Sequence, residues 1–209
     1  MALETYSQLK SSIADFLNRD DLTAVIPTFI KLAESQIQRD LRHWQMEKRS
    51  SGQQSPGDQY MQLPADWIET IRFHITDNGT STLDLASRAT MSDLRASNED
   101  TSGTPKYYTH ADGQIELYPT PSGTTNVELL YYGKIDALSD SNTTNWLLTE
   151  APDVYLYGAL LHSAPYLAED ERVGVWAQMY SASLAQLNKA SEDAKYSGSG
   201  LRMKIKGLG

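Results

Sequence analysis

The chain has 209 residues, of which 40% are hydrophobic and 22% charged, a composition typical of soluble globular proteins that argues against disorder. No apolar run reaches the roughly 18 residues of a membrane-spanning helix, and Met1–Lys10 lacks the features of a secretory signal. The absence of cysteine excludes disulfides, thiolate metal sites and cysteine nucleophiles, and a net charge of −9 disfavours tight binding to a nucleic-acid backbone.

Helical periodicity dominates residues 1–49. A first set of apolar residues recurs every three or four positions and consists of Tyr6, Leu9, Ile13, Phe16 and Leu17. A second set follows a polar break and consists of Phe29, Ile30, Ala33, Ile37 and Leu41. Pro27 stands where the first turn of a helix tolerates proline. These patterns predict two amphipathic helices.

Residues 50–148 have the pattern of a β module. The Ser/Gly/Gln/Pro-rich stretch Ser50–Asp58 indicates a loop. Beyond it, alternating apolar residues predict strands at 60–63, 71–75, 106–109, 115–118 and 127–132, a hairpin partner at 82–85 and a short helix at 87–97. The Asp112-Gly113 pair is a hairpin turn signal.

Helical spacing returns over residues 149–196. Thr149 is predicted to cap the first of these helices, with Pro152 in its first turn. The acidic run Glu169–Glu171 is predicted to open a longer helix, because negative charge suits a helix N-terminus. The predicted core of these helices comprises Leu160, Trp176 and Tyr180.

The order of elements predicts an α+β fold. Helices from both ends of the chain, residues 1–49 and 149–196, form one bundle, and the antiparallel β module of residues 50–148 is inserted between its halves.

The last segment, residues 197–209, differs in charge from the rest. Residues 1–196 carry 15 basic and 27 acidic side chains, whereas this segment carries three basic and no acidic ones. Four of its residues are glycine, which opposes a stable helix or a buried strand. Its centre alternates apolar with basic residues, namely Leu201, Arg202, Met203, Lys204, Ile205 and Lys206. We interpret it as a flexible basic arm that docks on a partner.

Catalytic patterns are weak in this sequence. The four histidines, His43, His74, His110 and His162, have no metal-ligand spacing, and we expect neither a metal nor a cofactor. Glu116 and Glu128 lie on two predicted strands and could face each other across them, as the carboxylate pair of a glycosidase requires. Strand-surface carboxylates are more often solvated, so no catalytic residue is predicted.

Aromatic residues are more informative, with 12 tyrosines and 4 tryptophans. Tyrosine is amphipathic and suits protein interfaces. β-strands also favour aromatic side chains, so an interface role and a purely structural role stay equally open.

Five blocks of residues, taken in order and spacing, resemble the head-to-tail adaptor proteins of tailed bacteriophages. The blocks are Asp20-Asp21-Leu22 with Ile26–Glu34 and Arg39–Arg42; Leu63–Trp67; Pro105–Tyr108 with Ile115–Pro121; Tyr131-Tyr132 with Ile135, Leu138 and Ser139; and Asn145–Leu148 with Pro152–Leu160 and Ala164–Leu167. They cover nearly the whole chain.

The resemblance implies a non-enzymatic protein of the virion neck, assembled in the host cytoplasm as a ring that is dodecameric in such adaptors. The ring docks beneath the portal protein, receives a tail or nozzle protein, and lines a channel through which DNA passes without specific binding. In related adaptors a C-terminal extension reaches the portal, which matches the arm. The alternatives are a neck or tail-completion protein that does not touch the portal and a polysaccharide or peptide hydrolase that would depend on Glu116 and Glu128.

Overall fold

The structure is a computed structural model that describes residues 3–77, 79–97, 101–167 and 172–197. The predicted α+β class is confirmed, because the described residues form helices and mainly antiparallel sheets. The chain divides into two compact units: a helical unit up to Trp44 and from Ile135 onward, and a β unit at Gln45–Lys134. The predicted domain boundaries at 49/50 and 148/149 stay predictions.

In chain order the helices are α1 (Tyr6–Leu17), α2 (Ile26–Asp40), α3 (Arg88–Ala96), α4 (Trp146–Glu150), α5 (Pro152–Leu167) and α6 (Val173–Tyr196), with a 3-10 turn at Trp44–Met46. The strands are β1 (Glu47–Gln54), β2 (Tyr60–Gln62), β3 (Trp67–Ile75), β4 (Ser81–Thr82), β5 (Asp84–Leu85), β6 (Ser102–Gly103), β7 (Tyr107–Ala111), β8 (Gln114–Tyr118), β9 (Thr120–Pro121) and β10 (Thr125–Gly133).

The helical unit is built around α5. Helix α2, from the N-terminal part of the chain, and helix α6 both pack on α5. Gly158 lies where the three helices meet: a Cβ added there would be 3.2 Å from Cβ of Ala33 and 3.3 Å from Cε2 of Tyr180. Leu160, Trp176 and Tyr180 are all buried in this unit. Glycine at the crossing therefore lets the helices approach closely.

Local hydrogen bonds define where these helices begin and end. Thr5 and Gln8 form a reciprocal capping box at the start of α1, and Asn18 ends this helix in the left-handed conformation, with φ of 53°. The expected cap at Thr149 is wrong. Asn145 Oδ1 accepts from Leu148 N at 2.9 Å and caps α4, and the chain then breaks at Ala151 before α5 begins at Pro152. The N-cap at Asn145 and the C-cap at Ala151 therefore define a separate short helix, where the periodicity predicted a single helix that starts at Thr149.

The β unit is a sandwich of two four-stranded sheets. Their strand orders are β1-β10-β3-β4 and β2-β8-β7-β5. The inner faces enclose one core, made of Phe73, Ile75, Leu83, Tyr108, Ile115, Leu117, Val127, Leu129 and Tyr131. The predicted hairpin of β7 and β8 is confirmed, with Asp112 at φ 51° and Gly113 at φ 70° in its turn.

The predicted loop at Ser50–Asp58 is wrong over most of its length. Residues 47–54 form β1, which pairs with β10 over eight residue pairs. The composition hides this strand because its apolar alternation is absent, while the ladder depends on backbone groups that every residue here supplies. The predicted hairpin partner at 82–85 also splits: β4 pairs antiparallel with β3, whereas β5 pairs in parallel with β7 in the other sheet.

Two predicted features lie outside the described residues. They are the acidic helix start at Glu169–Glu171 and the arm beyond Ser197, including Leu201, Arg202, Met203, Lys204, Ile205 and Lys206.

Candidate assembly surfaces

The candidate catalytic carboxylates do not come together. Glu116 is on β8 and Glu128 is on β10, in different sheets, and the neighbours of each residue along its strand point into the shared core. The two carboxylates therefore project from opposite outer faces of the sandwich. Glu116 accepts from Nε of Arg95 at 2.7 Å, and Glu128 lies 3.5 Å from Nε2 of His74. The expectation that they could face each other is wrong, and the hydrolase alternative loses its pair.

Metal and membrane features are also absent from the part of the chain that the structure describes. There, no group of three or more histidine, aspartate and glutamate side chains is placed to hold a metal ion. None of the helices at these positions combines the length and apolar character needed to cross a membrane.

Asp66, within the Leu63–Trp67 block, joins three segments of the β unit. Its carboxylate accepts from Nζ of Lys48 at 2.6 Å and from the hydroxyl of Tyr131 at 3.0 Å, while its carbonyl accepts from N of Lys134 at 2.7 Å. Burial raises the pKa of Asp66, but the bonds from Lys48 and Tyr131 outweigh this effect and hold the pKa below its ordinary value. Burial and the carboxylate together raise the pKa of Tyr131 to about 12. Asp66 therefore fastens β1 and β10 to the segment before β3.

Glu34 plays the corresponding role in the helical unit. It is buried on α2, and its Oε1 accepts from N of Leu138 at 2.7 Å and lies 3.4 Å from the hydroxyl of Tyr155. Burial raises the pKa of Glu34, and the two hydrogen bonds offset this only in part. Asn145 donates to the same Tyr155 hydroxyl at 2.7 Å. The cluster fixes the segment that enters the helical unit at Ile135.

His43 is enclosed by tryptophan rings in the helical unit. Its ring stacks on Trp146 at a centroid distance of 5.0 Å and lies 5.7 Å from Trp44. Burial lowers the pKa of His43, which favours the neutral ring. The backbone N of Trp44 donates to Oγ of Ser191 at 2.8 Å, so the end of this N-terminal segment is attached to α6. The rings of His43 and Trp146 therefore contribute to the packing of the helical unit.

One cleft in the β unit, of about 380 Å³, is lined in part by Pro64, Trp67, Arg88 and His110. Nε1 of Trp67 donates to Oγ1 of Thr70 at 3.1 Å, and Thr70 is 3.0 Å from Nε2 of His110. Burial lowers the pKa of His110. The side chains of Trp67 and His110 are thus both held by Thr70, which is an arrangement typical of a framework.

Exposed large apolar side chains are concentrated on the helical unit. Of the ten found among the residues that the structure describes, seven belong to it, namely Phe16, Leu32, Trp44, Tyr166, Val175, Met179 and Tyr196; the β unit contributes Tyr60, Ile71 and Leu85. Sequence reasoning identified the inner face of α6 but missed its outer face. The sequence does contain a signal for this outer face, since residues 173–188 contain no Asp, Glu, Lys or Arg.

The described chain ends next to the predicted arm. Tyr196, the last residue of α6, is 72% exposed, and N of Ser197 donates to the carbonyl of Asp193 at 2.8 Å. The arm therefore starts from a solvent-exposed helix end.

Exposed apolar side chains are a feature of surfaces that contact other proteins, and on this chain they lie mainly on helices. The sequence model of the SU10 adaptor protein family matches residues 4–204, and the chain belongs to this family of phage head-to-tail adaptor proteins. No curated protein matches the chain. Family membership identifies it as a structural protein of the phage virion.

Proposed function

We propose that this chain forms a closed ring, dodecameric as in the adaptors it resembles, beneath the portal, where it receives the tail or nozzle protein and lines the DNA channel. The observation that carries the proposal is the family match over residues 4–204, which includes both units and reaches into the arm. Assembly takes place in the host cytoplasm and the ring remains in the virion neck.

Ring formation requires a head-to-tail contact between different surfaces of neighbouring copies. The exposed apolar side chains of the helical unit favour such a contact, because the free energy falls when apolar surface is removed from water. Native mass spectrometry of purified necks, combined with symmetry determination by electron microscopy, measures the number of copies. A neck in which this protein forms no ring would contradict the proposal.

Portal attachment is assigned to the arm, residues 197–209. Three basic side chains on an otherwise acidic chain provide charge contrast, and an exposed start at the end of α6 lets the segment reach away from the helical unit. Removal of 197–209 is expected to leave the thermal unfolding of the protein unchanged and to abolish attachment to portal-bearing heads.

Two full-length variants test whether attachment depends on the charge of the arm and not only on its presence. Arg202→Glu with Lys204→Glu and Lys206→Glu reverses the charge of the arm, whereas Arg202→Lys preserves it. Only the first is expected to lose attachment, measured by co-sedimentation with tail-less heads. Normal incorporation of the truncated protein would instead support a neck or tail-completion protein that does not contact the portal.

The channel role is supported by charge. Residues 1–196 have 12 more acidic than basic side chains, and like charge keeps passing DNA from adhering to the wall. The three basic residues of the arm have no acidic neighbour within residues 197–209, and three phosphate contacts through them predict, by counterion release, a shallow log–log salt slope of about −2.7. Fluorescence anisotropy with duplex DNA measures it. Micromolar affinity at physiological salt with a much steeper slope would contradict a non-binding channel.

A further inference from the structure

Helix α6 has two clearly separated faces. Trp176, Tyr180 and Leu184 are buried on one of them. Eight residues are exposed on the other, namely Gly174, Val175, Gln178, Met179, Ser181, Ala182, Ala185 and Gln186. At 3.6 residues per turn these eight fall within an arc of about 160°. We call this set the outer face of α6.

The chemistry of the outer face is unusual for a surface helix. Exposed helix faces of soluble proteins normally carry charged residues opposite the apolar stripe. Here the 16 residues from Val173 to Asn188 include no charged side chain, although Val175 is 55% and Met179 is 45% exposed. Charges return in the same helix at Lys189, Glu192 and Asp193. The uncharged surface is therefore confined to about two-thirds of α6.

The spacing of the outer face fits a second helix. Val175, Gln178, Ala182 and Ala185 follow one another at intervals of three and four residues, which places them along a single seam. The small side chains allow two helix axes to approach to about 8–10 Å. Val175 is the apolar residue at one end of this seam, and Met179 adds further apolar area beside it.

The charge of the protein indicates what covers this seam. Two copies of a chain with net charge −9 repel each other, so they make contact most favourably where charge is absent. A basic partner would gain most from the acidic surfaces elsewhere on the chain, not from a neutral helix. We propose that the outer face of α6 is the surface through which one copy contacts the next copy in the ring, an inference that rests on the proposed ring.

The seam is long enough to form the centre of such a contact, since sixteen helical residues span about 24 Å. Stable interfaces bury roughly 800 Å² per partner, so one helix face supplies only part of the interface. The remainder of the interface surrounds it, and the matching surface on the neighbour is a different one because the contact is head-to-tail.

Arginine substitutions on α6 provide a first test. Ala182→Arg places a charge in the middle of the seam, and Ala194→Arg makes the same change at an exposed position of the charged end of the helix. Both side chains are in solvent in the isolated chain, so circular dichroism and thermal unfolding should match wild type. We expect Ala182→Arg to lower the ring fraction at least tenfold, measured by native mass spectrometry of the adaptor with its portal, and Ala194→Arg to leave it unchanged. Equal assembly of both variants would overturn the proposal.

Cysteine labelling and cross-linking identify the protein that covers the outer face of α6. The chain contains no cysteine, so a single introduced cysteine is the only site of reaction. Ala182→Cys and Ala194→Cys are labelled with a maleimide in intact necks and in dissociated protein. Assembly should slow labelling at position 182 at least tenfold and leave position 194 unaffected. A short cysteine-to-amine cross-linker at position 182 should give products at multiples of the mass of this chain.

The outcomes separate the two proposals. Cross-linked products that contain portal or tail protein would assign the outer face to that partner and overturn the inference. Free labelling at position 182 within an intact ring would also overturn it while leaving the ring in place. Necks that contain no ring of this protein would contradict the proposed function itself.

Discussion

The helical unit and the β unit are held together by different kinds of interaction. The helical unit joins segments far apart in the chain, such as α2 and α5. Its inter-helix segments are fixed by side-chain hydrogen bonds, which Glu34 accepts and Asn145 donates. The β unit is continuous in sequence, and backbone ladders provide most of its connections. A ladder tolerates changes of side chain, whereas a side-chain hydrogen bond does not. Polar substitutions should therefore have specific effects in the helical unit and, in the β unit, mainly at Asp66.

The largest effects are expected in the two cores. Trp176→Ala and Leu160→Ala in the helical unit, and Phe73→Ala in the β unit, remove side chains that are at most 5% exposed. Each should lower the free energy of unfolding by about 2–5 kcal/mol, because lost burial and a cavity add together. Urea denaturation measures the change.

Val175→Ala is the matched control, since this neighbour of Trp176 is 55% exposed. It should change stability by less than about 0.5 kcal/mol in the isolated chain. A Trp176→Ala protein as stable as the Val175→Ala protein would show that α6 does not belong to the core.

Sequence patterns predict the elements that bury apolar faces. Helices α1 and α2, and the β7–β8 hairpin with its Asp112-Gly113 turn, all form where periodicity and turn chemistry place them. They are predictable because local preference and tertiary packing favour the same conformation.

The elements that sequence reasoning missed depend on partners distant in the chain. Strand β1 forms because β10 offers an edge, which the Ser/Gly/Gln composition does not reveal. The separation of Glu116 and Glu128 follows from a strand order that links non-consecutive strands. The outer face of α6 was visible as missing charge, but attention to apolar periodicity alone selects the inner face.

Substitution of Asp66 tests how much one set of side-chain hydrogen bonds contributes to the stability of the β unit, in which most connections are backbone ladders. Asp66→Ala removes the acceptor of Lys48 and leaves the Tyr131 hydroxyl without it, which should cost about 1.5–3 kcal/mol. Lys48→Met removes the partly exposed ion pair and the long contact, 3.4 Å, from Nζ to the carbonyl of Lys134, and should cost no more than about 1 kcal/mol. Guanidinium denaturation compares the two variants. Equal losses would mean that the bond from Tyr131 contributes nothing.

Asn145 is the matching test in the helical unit. Asn145→Ala removes the cap of α4 and the bonds from Nδ2 to Tyr155 and Asp136, with an expected cost of about 1–2 kcal/mol. Asn145→Asp keeps the capping oxygen and should recover part of this loss. Thr149→Ala, at the cap position that periodicity favours, should stay within about 0.5 kcal/mol of wild type. A larger loss at Thr149 than at Asn145 would reverse the assignment of the cap.

The smallest effect is expected at Glu34 and appears as a dependence on pH. Burial raises the pKa of Glu34 in the folded protein above its unfolded value, so the folded state holds the proton more tightly. Its contribution to stability is fully present below the unfolded pKa and is lost as pH rises through the folded pKa. Glu34→Gln keeps an oxygen acceptor for N of Leu138 but does not titrate. The stability of wild type relative to Glu34→Gln should therefore fall as pH rises from about 4 through the raised pKa. Other carboxylates titrate in both proteins and cancel in this difference, which is measured by urea denaturation at each pH. A difference that is constant with pH would mean that the hydrogen bonds to the carboxylate balance the effect of burial, and one that rises would mean that they outweigh it; either result would contradict a raised pKa.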